Sequence, residues 1–136
     1  MKKFVLDCSV SAAWCLKDEH SEKAHVVLKS LSNAEAVVPS LWAVEMANVL
    51  LMAERKGRIK PADAAREVEL ILKLPIVITP EDNRTTLEDT RRIGRDHGLS
   101  AYDACYLALA LRTGLPLATL DKPLTKAARS CGVQLL

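Results

Sequence analysis

Four short apolar runs, each followed within a few residues by a helical stretch, constrain this chain more than any other feature. They are Phe4-Val5-Leu6, Ala36-Val37-Val38, Ile76-Val77-Ile78 and Leu117-Ala118-Thr119. None shows the polar alternation of a strand with one wet face, so both faces need covering. Parallel strands require long crossovers, and helices supply them here. A fifth segment, Val133 to Leu135, is expected to add a short terminal strand. The expected fold class is therefore α/β, with a central parallel sheet of four to five short strands. No internal repeat, low-complexity stretch or linker interrupts the pattern, so one domain is expected over residues 1–136.

The helices are bounded by their punctuation. Ser9 or Ser11 is expected to cap a first helix running to about Lys17. Ser21 to Leu31 places Ala24, Val27, Leu28 and Leu31 on one face. Ser40 is expected to cap a long helix to about Lys56, with Gly57 ending it. Pro61 opens a helix to Leu74, and Pro80 opens a charged one ending at His97-Gly98. Ser100 caps a very apolar helix from Ala101 to Arg112, and Asp121 caps the last, to about Ser130.

Bulk properties exclude little. A chain of 136 residues can bury a substantial core. Only 4% of residues are aromatic, which argues against a base-stacking platform. The net charge of +2 neither demands nor excludes a nucleic-acid partner, because a carboxylate-rich site would offset local basic patches. Cys8, Cys15, Cys105 and Cys131 form no C-x-x-C pair and have no histidine cluster beside them. They are expected to be reduced, mostly buried thiols, as suits a reducing cytoplasm. The N-terminus lacks the apolar core of a signal peptide, and no run approaches the ~18 apolar residues of a membrane span.

The carboxylates are more informative. Ligands of open parallel sheets bind beyond the carboxyl ends of the strands. Asp7 ends the first strand, Asp121 lies two residues past the fourth, and Asp103 falls in the first turn after Ser100. Each also has a plainer explanation. Asp7 and Asp121 can cap helices, and Ser100-x-x-Asp103 has the form of a capping box. Glu45 resists such a reading. It stands within Leu41-Trp42-Ala43-Val44-Glu45-Met46-Ala47-Asn48-Val49-Leu50-Leu51-Met52, with no Lys or Arg at i±3 or i±4. A helix apolar nearly all round is expected to be buried, and a buried carboxylate needs a partner or a metal. Asn48, at i+3, shares its face. All-oxygen ligation suits Mg²⁺ or Mn²⁺ rather than Zn²⁺.

The pieces Val5-Leu6-Asp7-Cys8-Ser9, Val44-Glu45-Met46-Ala47-Asn48, Ser100-Ala101-Tyr102-Asp103-Ala104-Cys105-Tyr106-Leu107-Ala108 and Ala118-Thr119-Leu120-Asp121 together resemble the PIN domain, and in particular its VapC-type toxins. The resemblance covers essentially the whole chain. It implies a PIN-like three-layer α/β/α fold. It implies an Mg²⁺- or Mn²⁺-dependent endoribonuclease, commonly a homodimer, held in check by a cognate antitoxin. By position, Asp7, Glu45, Asp103 and Asp121 match the family's acidic, metal-binding quartet, with Ser9 and Thr119 as supporting polar residues. No acidic position departs from the pattern.

Lys122, Lys126 and Arg129 follow Asp121 and are candidates for RNA phosphate contacts. Arg55, Lys56, Arg58 and Lys60 sit at a helix C-terminus, where cations favour the macrodipole, and read as structural. Trp14 and Trp42 read as packing residues. Tyr102 and Tyr106 share a face and either pack or approach a base. Three rival readings make other demands on the sequence. A non-catalytic PIN-like RNA- or protein-binding module predicts a missing carboxylate, and none is missing. A receiver-like phosphoacceptor needs a late-strand lysine, which neither late strand carries, and a haloacid-dehalogenase-type phosphatase needs Asp-x-Asp where this chain has Asp7-Cys8-Ser9.

Overall fold

The apolar runs pair side by side. The computed structural model describes residues 2–136. Its strands are β1 (Lys2–Leu6), β2 (Ala34–Val38), β3 (Ile76–Ile78) and β4 (Leu117–Ala118). They form a parallel sheet in the order β3-β2-β1-β4. Val5, Leu6, Ala36 and Val38 are wholly buried, as strands covered on both faces must be. β3 departs from this expectation: it lies at the sheet edge, and Val77 and Ile78 stay about half exposed. The expected terminal strand is reduced to a single bridge between Leu117 and Leu135.

The helices are α1 (Cys8–Cys15), α2 (Glu22–Ser30), α3 (Leu41–Arg55), α4 (Pro61–Leu72), α5 (Asn83–Thr85), α6 (Arg91–His97), α7 (Ala101–Thr113) and α8 (Lys122–Ser130). A 3₁₀ turn, Lys17–Glu19, follows α1, and a π-helical turn, Thr86–Thr90, joins α5 to α6. α7 is the central helix. All of Ala104 to Ala110 is buried, so the apolar run that made it conspicuous in the sequence is its packing surface. The helices and sheet enclose one hydrophobic core whose buried strand residues come from β1, β2 and β4, with Ile76 of β3 packed against it.

Several helix starts differ from expectation. α1 begins at Cys8 because Asp7 already has an extended backbone (ψ 146°) at the N-cap position. Neither Ser9 nor Ser11 caps it. Ser11 is buried, donating to the Cys8 carbonyl at 3.1 Å and accepting from Trp42 Nε1 at 2.9 Å. Ser40 has helical backbone angles and no side-chain capping bond, so it is the lead-in to α3 rather than its cap. Pro80 precedes the charged helix but does not open it; Asp82 caps α5 by accepting from the Thr85 N–H at 2.7 Å. Ser21, Ser100 and Asp121 do cap α2, α7 and α8 through their side chains.

The largest correction concerns α3. Its composition predicts burial all round, yet Val44 is 71% and Leu51 43% exposed. Only Trp42, Met46, Leu50 and Ala53 face the core fully. Apolar content overstated burial here because a helix on the outside of a sheet has one face to cover and one face free.

The sheet order sets up the site. From β1 the chain proceeds outward through β2 to β3, then returns to place β4 on the other side of β1. Strand order therefore reverses between β1 and β4. Crevices form at such switch points, beyond the carboxyl ends of the strands.

Candidate active site

Asp7 is the first residue beyond β1, and its N–H extends the pairing with β4 by donating to the Ala118 carbonyl at 3.0 Å. The side chain is 3% exposed. Both of its hydroxyl donors act on Oδ2: Ser9 Oγ at 2.5 Å and Thr119 Oγ1 at 2.8 Å. The same two hydroxyls also accept backbone N–H groups from the β4 end. Leu120 N–H donates to Ser9 Oγ at 3.0 Å, and Asp121 N–H donates to Thr119 Oγ1 at 3.0 Å. Two small polar side chains thus knit the ends of β1 and β4 together and fix Asp7 between them. Lys23 Nζ, from α2, adds a bond to the Thr119 carbonyl at 2.9 Å.

The other three carboxylates come from helices. Asp121 caps α8, with Oδ2 accepting from Leu124 N–H at 2.9 Å. Asp103 lies in the first turn of α7, its own N–H donated to Ser100 Oγ at 3.1 Å. Glu45 projects from α3, and its Oε1 accepts from the Tyr106 hydroxyl at 2.5 Å. Tyr106 is fully buried on α7. The capping roles of Ser100 and Asp121 are therefore present, and they do not exclude a second role. Where a bond fixes one oxygen of Glu45 and Asp121, the other is left over.

All four groups, with Ser9 and Asn48, line one hollow of about 400 Å³ beside the switch point. They act on one another. Burial raises the Asp7 pKa, partly offset by its hydroxyl donors, and the charge of Asp121 raises it further. Burial likewise raises Glu45, the Tyr106 bond opposes it, and Asp7 and Asp103 add to the rise. Asp103 is raised by burial and by Asp121 and Asp7. Tyr106 is itself pushed far up, by burial and by the Glu45 carboxylate, and stays a donor. Four acids so placed repel one another unless protons or a cation intervene.

The donor set fits a hard cation. Every candidate ligand is a carboxylate oxygen, and Mg²⁺ needs only one or two of these alongside waters and substrate phosphate. Among the described residues, no three carboxylate, imidazole or thiol groups already converge as a closed metal cage. A site completed by water and phosphate has no need of one.

The remaining sequence candidates are distributed as follows. Asn48 is exposed at the hollow's wall. Lys122, Lys126 and Arg129 stand apart from it. Lys122 and Lys126 line a depression with Asp96 and His97, and both line another with Thr125 and Arg129. Trp14 is partly buried and donates to the Ala24 carbonyl at 2.7 Å, so it packs α1 onto α2. Tyr102 is 63% exposed, unlike Tyr106 one turn further on. The cysteines are all free, and burial pushes Cys15 up to about 12 and Cys8 up as well, which makes both poor nucleophiles. Sequence reasoning missed three residues: Tyr106 as the partner of Glu45, Lys23 on the Thr119 carbonyl, and Arg58 at the hollow's rim. Their partners are 61, 96 and about 40 positions away, beyond any local pattern.

Known proteins share this fold. A family model described as the PIN domain matches residues 4–130. Ribonuclease VapC3 of Pyrobaculum aerophilum is 31% identical over 125 residues, covering 91% of this chain and 93% of that protein. A crystal structure from the same organism superposes with a TM-score of 0.72 at 24% identity, over 93% of this chain and 84% of the other. A toxin-antitoxin complex from Klebsiella pneumoniae gives 0.60 at 15% identity, over 87% and 86%. At those identities the two solved structures speak for the fold alone.

Proposed function

The chain belongs to the PIN domain family, and from that premise we propose that it is a divalent-metal-dependent endoribonuclease, the toxin of a toxin–antitoxin pair. The observation that carries this reading is the meeting of Asp7, Glu45, Asp103 and Asp121 in one hollow, the first three with pKa values raised chiefly by burial and also by their neighbours' charge, a strain that a bound cation would relieve. The name of its ribonuclease relative agrees with it.

In this reading Asp7 and Asp103 would hold Mg²⁺ or Mn²⁺, and Glu45 and Asp121 would support it. Such an ion, when bound, acidifies water to give a nucleophile near neutral pH and offsets charge on the phosphoryl group. The chain's own residues do the rest. Ser9 and Thr119 fix the Asp7 carboxylate, so that little reorganisation is needed on binding. Tyr106 fixes Glu45 in the same way. Asp121 is held at the α8 N-terminus by accepting the Leu124 N–H, and Asp103 is placed by the first turn of α7. Lys122, Lys126 and Arg129 serve flanking phosphates outside the hollow. The fully formed acidic set disfavours a purely binding role for the same fold.

The protein partner is a cognate antitoxin, and the working unit is a homodimer. Among the described residues, no helix is long and apolar enough to cross a membrane. The reading is tested by expressing the chain alone, sequencing the RNA ends that arise, and isolating the neighbouring gene's product with it. New 5′-phosphate ends that vanish on co-expression of that product are expected. An unchanged RNA population would overturn the proposal.

A further inference from the structure

Among the described residues, the charged groups lining the acidic hollow are Asp7, Glu19, Glu45, Asp103, Asp121 and a single cation, Arg58. Arg58 is brought there by a defined turn. α3 ends at Arg55 with Lys56 as its C-cap, and Gly57 takes a left-handed conformation (φ +71°) that other residues rarely adopt. The Gly57 N–H donates to the Glu54 carbonyl at 3.0 Å and the Arg58 N–H to the Ala53 carbonyl at 2.8 Å. This pair of bonds is a Schellman turn, which reverses the chain at the helix end. It sets Arg58 against the 3₁₀ turn that follows α1.

There the guanidinium is gripped. Nε donates to Asp18 Oδ2 and Nη2 to Asp18 Oδ1, both at 2.9 Å, while Nη2 also reaches Glu19 Oε2 at 2.6 Å. The Asp18 and Glu19 side chains are 58% and 43% exposed, so these bridges add little to stability. What they supply is orientation, because a two-point fork holds a planar guanidinium in one plane. The grip occupies Nε and Nη2. Nη1 has no partner among the described residues.

A polyanion entering this hollow meets five carboxylates and one fixed guanidinium with a free edge. We propose that Arg58 is the residue that contacts substrate phosphate inside the acidic hollow, seating a single-stranded RNA beside the quartet, and that Asp18 and Glu19 are its positioning residues. The proposal rests on the ribonuclease reading above. It reverses the purely structural role that the helix-end position of Arg58 suggests.

The test measures binding of a fluorescein-labelled single-stranded RNA oligonucleotide across a salt series, in an Asp103→Asn background so that cleavage does not intervene. Arg58→Gln is expected to weaken binding about tenfold and to lower the slope of log affinity against log salt by about 0.7, the share of one single-strand phosphate. Arg58→Lys keeps the charge, so it should retain the slope while losing affinity to the missing fork. Asp18→Asn breaks the same ion pair from the other side and should retain the slope as well. Melting temperatures of all variants separate loss of fold from loss of contact. An unchanged slope in Arg58→Gln, or an Asp18→Asn protein that matches it in both slope and affinity, would overturn the proposal. A parent protein with no salt-dependent RNA binding would instead bring down the ribonuclease reading itself.

Discussion

Replacing Asp7 by Asn is expected to reduce RNA cleavage by at least about a thousandfold while leaving the metal-free protein as stable as before or more so. The first half follows from the role proposed for the carboxylate. A metal ligand secures several kcal/mol of transition-state stabilisation, and each ~1.4 kcal/mol is tenfold in rate. The second half follows from its environment. Asp7 is 3% exposed, and burial and Asp121 raise its pKa above the unfolded value. Folding of the metal-free chain therefore gains from a protonated Asp7 below the unfolded pKa and loses that gain as pH rises through the folded one. Above the unfolded pKa the buried carboxyl therefore costs stability that Asn does not, and Asn keeps an oxygen for Ser9 and Thr119. The melting temperature should rise by a few degrees without metal. Full cleavage by a purified Asp7→Asn protein would contradict the assigned role, and a large fall in melting temperature would contradict the account of its environment.

Gly94→Val is expected to damage both fold and activity from a position outside the hollow. Gly94 is buried in α6, and a Cβ built on it lies 3.1 Å from the Leu99 carbonyl oxygen and 3.7 Å from Ala104 Cβ. Leu99 and Ser100 lead into α7, and Ala104 is the residue after Asp103. A branched side chain must push α6 away from the N-terminal turn of α7. Overpacking of this kind costs about 1–3 kcal/mol. Activity should suffer more than stability, because a displacement on the order of 1 Å at a reacting group can cost about a hundredfold. Gly94→Ala, with its single methyl, should be far milder, as it also gains helix propensity. Thermal melts and cleavage rates on both variants check this. A Val variant that melts low yet cleaves at the wild-type rate would show that the α6–α7 contact does not position Asp103.

These two predictions differ in how far the sequence alone reaches. The sheet was legible because its strands are short, apolar and bounded by Pro, Asp and Ser. Asp7, Asp103 and Asp121 were legible because strand ends and helix starts are local features. For Glu45 the apolar composition of α3 points to burial all round, whereas Val44 and Leu51 are open to solvent and Glu45 is only half-buried. Its significance comes instead from Tyr106, 61 residues away, whose hydroxyl meets it inside the fold. Gly94 carries no signal in the sequence, since close approach of two helices leaves no trace in either segment. Arg58 looked like a cation suited to a helix C-terminus, and only the Schellman turn and the Asp18 fork reveal where it is held. The terminal segment had strand composition, yet it reaches β4 for one bridge only.

The central claim is that four carboxylates gathered at the β1–β4 switch point form a divalent-metal-dependent centre for cutting RNA. It is tested most directly by the initial rate of single-stranded RNA cleavage by metal-stripped protein as Mg²⁺ is titrated in. The account predicts no cleavage in chelator and a saturable return of activity with added ion, absent from Asp7→Asn and Asp103→Asn proteins. A cleavage rate in chelator equal to that in Mg²⁺ would contradict it.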